Sequence, residues 1–191
     1  MPVVVGEYAD RLVTVNMKPK RRITGSGTTE NPRDNTHRLY EAARAKQREP
    51  LTYLAAKLLL DRLGPGDAVV ITCGAGGPPV RKVGEVDGYL GAAAISRALM
   101  RGRHAKVVVA TDDWAFAPLA AAFRGAGAIL RRPGDDDRAV TGTFEAMPLA
   151  HDASRTRAAE LIDRYHPKVV LAIERLGPNR KGVTHGATGI S

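Results

Sequence analysis

A single cysteine, Cys73, leaves this chain no partner for an internal disulfide and no thiolate cluster for a structural metal, which points to a reducing compartment and away from redox chemistry. Aromatic residues make up only 5% of the chain, so stacking platforms for single-stranded nucleic acid are few. No apolar run reaches the roughly 20 residues that a bilayer span needs, and no membrane partner is expected. The opening MPVVVGEYADRLV lacks a basic stretch followed by a long apolar one, so a cytoplasmic location is the default expectation. A Gly-Lys-Ser/Thr phosphate loop and a His-x-x-x-His pair are both missing, and no nucleotide cofactor is expected. His37, His104, His151 and His166 read as surface residues.

What the chain has in excess is positive charge, with a formal net of +9. Apart from one cluster at Lys18, Lys20, Arg21 and Arg22, the basic residues are scattered, as on solvated helix faces. A site for anionic small molecules also suits this charge, and nucleic acid is the minority reading. A chain of 191 residues with 43% hydrophobic content suits one core, so residues 1–191 are expected to form a single α/β domain. Residues 18–35, basic and then rich in Gly, Thr, Asn and Pro, are expected to be a flexible loop.

Arg11 to Val15 reads as a short strand. Thr36 can cap a helix in which Leu39, Ala42 and Ala43 share a face, and Leu51, Leu54, Ala55, Leu58 and Leu59 recur at helical spacing in the next. Gly64-Pro65-Gly66 ends that helix. Apolar strands are then expected at Ala68 to Cys73, Lys106 to Thr111, Ala128 to Leu130, Thr143 to Leu149 and Val169 to Ile173. Helices are expected at Gly88 to Met100, Trp114 to Phe123 and Ser154 to Tyr165, with an exposed turn at Asp135 to Asp137. Such alternation implies a mostly parallel sheet with helices on both faces, a Rossmann-like three-layer α/β fold whose ligands gather beyond the carboxyl ends of the strands.

Polar or glycine-rich segments stand at those ends. Gly74, Gly76 and Gly77 follow the first core strand and permit backbone angles that turn amides toward an anion, or simply make a tight turn. Glu85 and Asp87, two residues apart before a helix, could share a divalent cation, hold an ammonium or supply a base; equally, they could complement the helix dipole. Asp112 and Asp113 admit the same readings. Glu174 ends an apolar strand, where a buried carboxylate demands a partner, expected to be Arg175, Lys181 or a ligand. Cys73 ends a core strand with no base in view and reads as packing. His185 lies in a glycine-rich stretch and could shuttle protons.

The segments ADRLVTVNMKP, LYEAARAKQREPLTYLAAKLLL, PGDAVVITCGAGGPPV, GEVDGYLGAAAISRAL and VVLAIERLGPNRKGVTHGATGIS, in this order, resemble the C-terminal domain of D-glutamate cyclases and their bacterial relatives. The resemblance implies a hydro-lyase that converts D-glutamate, a small acidic amino acid, to 5-oxo-D-proline and water, with a divalent cation such as manganese. On it, Glu174 is the base, Glu85 and Asp87 hold the metal or the substrate ammonium, and the amides of Gly74, Gly76 and Gly77 hold a carboxylate. Asn179, Lys181 and His185 orient or neutralise the reacting carboxylate, and Asp112 joins the substrate-binding set. Two departures stand out: the family's Glu-Thr-Asp-Gly is here Glu85-Val86-Asp87-Gly88, and an extra basic loop occupies Arg21 to Asn35. Relatives also continue past the counterpart of Ser191 into a Gly-Asp-Gly-Gly-Asn-Glu segment. The chain therefore reads as truncated at its C-terminus, with a complementary C-terminal fragment or a homo-oligomer among its expected partners.

Overall fold

The computed structural model describes residues 2–14, 22–24, 27–29, 36–78, 82–135 and 140–184. The chain divides into two compact units, Met1–Asp61 and Arg62–Ser191. The boundary falls at the end of the helix that precedes Gly64-Pro65-Gly66.

The first unit holds helix α1 (Pro2–Thr14), a hairpin of β1 (Arg22–Thr24) and β2 (Gly27–Thr29), helix α2 (Thr36–Arg44) and most of helix α3 (Leu51–Arg62). Helix α1 overturns the strand expected from Arg11 onward; Val15 lies outside the described residues. The run Leu12-Val13-Thr14 has strand propensity, but Pro2 pre-sets the first helical turn and tertiary contacts hold the rest. The residues that α1 buries are Gly6 and Asp10, one helical turn apart. A Cβ at Gly6 would lie 2.7 Å from the Cβ of Tyr53, so only glycine allows this approach to α3. Asp10 accepts hydrogen bonds from the Leu51 and Thr52 backbone N–H groups at 2.6 and 3.0 Å, from the Thr52 hydroxyl, and from the Tyr40 hydroxyl at 3.2 Å. It thus caps the first turn of α3 from another helix. Burial alone would raise the pKa of Asp10, but the donors of Thr52, Leu51 and Tyr40 outweigh it and hold the carboxyl below its ordinary 3.8.

Within the stretch expected to be a flexible basic loop, β1 and β2 form a hairpin. The β-formers Ile23-Thr24 and Thr28-Thr29 pair antiparallel, Arg22 opposite Thr29, with only Gly25 and Ser26 between the strands. Lys18, Lys20 and Arg21 lie outside the described residues. Helices α2 and α3 are where expected, but Leu39 is exposed and α3 has no buried residue, so their apolar stripes build no core of their own.

The second unit alternates as expected: β3 (Ala68–Cys73), α4 (Val86–Arg103), β4 (Lys106–Asp112), a 3-10 turn (Asp113–Ala115), α5 (Phe116–Gly125), β5 (Ile129–Arg131), β6 (Thr141–Met147), α6 (His151–Tyr165) and β7 (Val169–Ile173). The single helix expected from Trp114 is a 3-10 turn followed by α5. Asp135 is exposed in a turn closed by Arg132, while Asp136 and Asp137 lie outside the described residues. The sheet is five-stranded, all parallel, in the order β5-β6-β4-β3-β7. Helices α4 and α5 pack together on one face, and α6 covers the other around Val70, Val108, Ala110 and Leu161. Both faces of the central strands are therefore dry, which is why β3 and β4 are continuous apolar runs. Val69, Ile71 and Val109 are completely buried, each side chain contributing about 1.5–3 kcal/mol.

Strand order decides where a site can form. The chain steps from β3 to β4 in one direction across the sheet, and α6 later carries it back to β7 on the far side of β3. The order thus reverses between β3 and β7, and at such a switch point the loops beyond the carboxyl ends diverge and open a crevice.

Candidate functional site

Two segments end at this crevice: the loop after β3, beginning at Gly74, and the end of β7, at Glu174. A third joins them, the N-terminus of α4, because a Cβ at Gly88 would sit 3.0 Å from the Glu174 Cβ and 3.4 Å from the Gly74 amide nitrogen. Gly88 therefore lets the helix start directly against both strand ends. The loop returns to the helix through a hydrogen bond from the Glu85 N–H to the Ala75 carbonyl, 2.9 Å.

This packing brings Glu85, Asp87 and Glu174 together, with one carboxylate oxygen from each within 4.8 Å of the others. Glu85 is half-buried and the other two are exposed. Like charges at that separation repel by on the order of 1 kcal/mol per pair even in water. Three hard oxygen donors at solvent fit a divalent cation such as manganese or magnesium, or an ammonium group.

Glu174 reaches the cluster by an unusual route. Val170 and Ala172 lie on the α6 face of β7, where Val170 lines a groove with Leu161 and Ile162, and strict alternation would send Glu174 the same way. Instead its backbone is left-handed, with φ +47°, and its side chain turns to the α4 face, against Gly88. For a residue with a Cβ this conformation costs roughly 1–2 kcal/mol.

The next residue turns to the other face. Arg175 donates to both oxygens of Asp112, Nη1 to Oδ2 at 2.6 Å and Nη2 to Oδ1 at 3.1 Å, and to the Gly74 carbonyl at 3.2 Å. The Thr111 hydroxyl donates to the Cys73 carbonyl at 2.6 Å. These contacts tie together the carboxyl ends of β3, β4 and β7. Hydrogen bonding to Asp112 pushes the Arg175 pKa further up, against the opposing effect of burial. Of the partners expected for Glu174, namely Arg175, Lys181 or a ligand, Arg175 is instead paired with Asp112, because the left-handed turn at Glu174 sends the two side chains to opposite faces. Asp112, expected among the substrate-binding residues, is buried with both oxygens occupied by Arg175.

Gly76 and Gly77 lie on the loop after β3, and Gly74 and Gly76 have positive φ. Trp114 and Tyr89 support this loop: a Cβ at Gly77 would lie 2.7 Å from Trp114, and one at Gly84 would lie 2.6 Å from the Tyr89 hydroxyl. Tyr89 is buried, its hydroxyl has no hydrogen-bond partner among the described residues, and burial pushes its pKa up to about 12. Neither aromatic was picked out from the sequence, although each is a rare residue type adjoining a singled-out carboxylate pair. Cys73 is completely buried and burial pushes its pKa to about 12, so it packs as an inert thiol. Asn179 organises its own loop: its side-chain oxygen accepts from the N–H groups of Lys181 and Val183 at 2.8 and 3.2 Å. Lys181 is exposed, and His185 lies outside the described residues.

No helix of the described residues is long and apolar enough to cross a membrane. No curated protein and no solved structure matches the chain. The family model described as D-glutamate cyclase-like, C-terminal, matches residues 27–191, which takes in the whole second unit and every residue of the crevice. The chain therefore belongs to the D-glutamate cyclase-like C-terminal family.

Proposed function

We propose that the crevice between β3 and β7 is the centre of a hydro-lyase that closes D-glutamate to 5-oxo-D-proline with release of water. The observation that carries this reading is the convergence of Glu85, Asp87 and Glu174 within 4.8 Å, beside the Gly74 amide and the start of α4. Closure requires the substrate nitrogen to attack the distal carboxyl carbon, so the ammonium must first lose a proton. Glu174 takes it. Two of the three ammonium protons end in the departing water and the third stays on the lactam nitrogen, so a carboxylate that accepts protons from nitrogen and returns them to the leaving oxygen emerges unchanged. Amides of the loop from Gly74 to Gly77, with the α4 N-terminus, hold the spectator carboxylate. Glu85 and Asp87 hold either the ammonium before reaction or a divalent cation. Such a cation supplies Lewis acidity that makes the distal carboxylate electrophilic. In this reading Asn179 and Lys181 orient or neutralise that carboxylate.

The test is incubation with D-glutamate and manganese chloride, with 5-oxo-D-proline resolved by chiral chromatography. The chain is assayed alone and with a fragment carrying the Gly-Asp-Gly-Gly-Asn-Glu segment of its relatives added in trans. Product is expected from the wild type and is lost in Glu85→Gln, Asp87→Asn and Glu174→Gln. Turnover that survives all three changes sinks the assignment.

A further inference from the structure

We infer that Arg175 is a positioning residue: its clamp on Asp112 and the Gly74 carbonyl holds Glu174 left-handed and thereby places the Glu174 carboxylate beside Glu85 and Asp87. The inference rests on the proposed reading of that trio as the ligand-holding centre. Three connected features meet here. Glu174 adopts φ +47°, a conformation that an L-residue with a Cβ does not choose unaided. Its neighbour Arg175 is fixed by a two-point hydrogen bond to a buried carboxylate on β4 and a further bond to the loop after β3. The turn between the two residues reverses the facing of the strand, so the guanidinium lies on the α6 face while the Glu174 carboxylate lies on the α4 face. Anchoring Arg175 on one face therefore leaves Glu174 to project from the other.

If the clamp is broken, β7 can continue extended through residue 174. Its carboxylate then follows Val170 and Ala172 to the α6 face, away from Glu85 and Asp87. Asp112 acquires a different role from the expected one: it anchors the residue that positions Glu174, acting across the sheet and touching no substrate.

The experiment uses the full chain with manganese chloride as the probe and two readouts. Binding is followed by electron paramagnetic resonance of free Mn²⁺. Backbone conformation is followed by the intraresidue amide-to-Hα nuclear Overhauser effect of Glu174, which is strong when φ is positive. In the wild type the effect is strong and Mn²⁺ binds. In Arg175→Gln and in Asp112→Asn the effect weakens and Mn²⁺ affinity falls by about tenfold or more, as for residues that orient metal ligands. Arg175→Lys keeps the charge and loses the two-point geometry, so it falls between, and it serves if the glutamine variant does not fold. The double variant is no worse than either single change, because both remove the same clamp. Lower thermal stability with the Glu174 signal and Mn²⁺ affinity unchanged would make Arg175 a merely structural residue and overturn the inference. Failure of the wild type to bind Mn²⁺ sinks the metal reading of the trio but leaves the Glu174 signal to decide the clamp.

Discussion

Two groups of acidic residues in the second unit meet opposite fates. Glu145 on β6 is 2% exposed and is neutralised by its own chain: Arg157 donates at 2.6 Å, Arg164 at 3.1 Å, and the Tyr165 hydroxyl completes the set, all from α6. Glu85, Asp87 and Glu174 are instead held at the open end of the sheet, facing one another. The first arrangement fastens a helix to a sheet. The second gathers three carboxylate oxygens where a cationic ligand can reach them. Asp112 belongs with the first group, despite its position at a strand end.

The largest test of this contrast is Glu145→Ala. It leaves Arg157 and Tyr165 facing a gap beneath α6, and urea denaturation should show a loss of about 3 kcal/mol. Next comes Asp10→Asn in the first unit, which removes the charge that caps α3 and should cost about 1 kcal/mol. Because the folded pKa of Asp10 lies below 3.8, its contribution is full above that value and is lost as pH falls through the folded pKa. The difference in melting temperature between wild type and Asp10→Asn should therefore hold above 3.8 and shrink as the pH falls below it through the folded pKa. A constant difference across that range breaks the account of the cap. Glu174→Gly has the opposite sign. It relieves the left-handed strain and the repulsions of Glu174 with Glu85 and Asp87, so stability should rise by about 1 kcal/mol while Mn²⁺ binding is lost. Smallest is Glu85→Gln, expected to change the unfolding free energy from urea denaturation by no more than about 0.5 kcal/mol. A large loss there would place Glu85 with the scaffold carboxylates.

Much of this was legible in residue order. Ala68 to Cys73 and Val169 to Ile173 match β3 and β7 residue for residue: β3 is an apolar run because it is buried between two helical layers, and β7 reads as one although it is a half-exposed edge strand. Glu174 stood out as a carboxylate ending such a run, and Glu85 and Asp87 as a pair before a helix. Helix α1 was missed because its anchors are a glycine and an aspartate, which add nothing to a hydrophobic period. The pairing of Asp112 with Arg175 was not legible in the sequence because the two lie 63 residues apart, at the ends of strands two places removed in the sheet.

Composition and periodicity were enough to specify a parallel α/β sheet and the strand ends worth searching, since those depend on local propensity and on which runs avoid water. The pairing of Arg175 with Asp112, the turning of Glu174 to the opposite face and the meeting of three carboxylates around Gly88 were decided only by folding. Each depends on through-space distances between distant segments and on one backbone angle that Glu174 does not favour by itself.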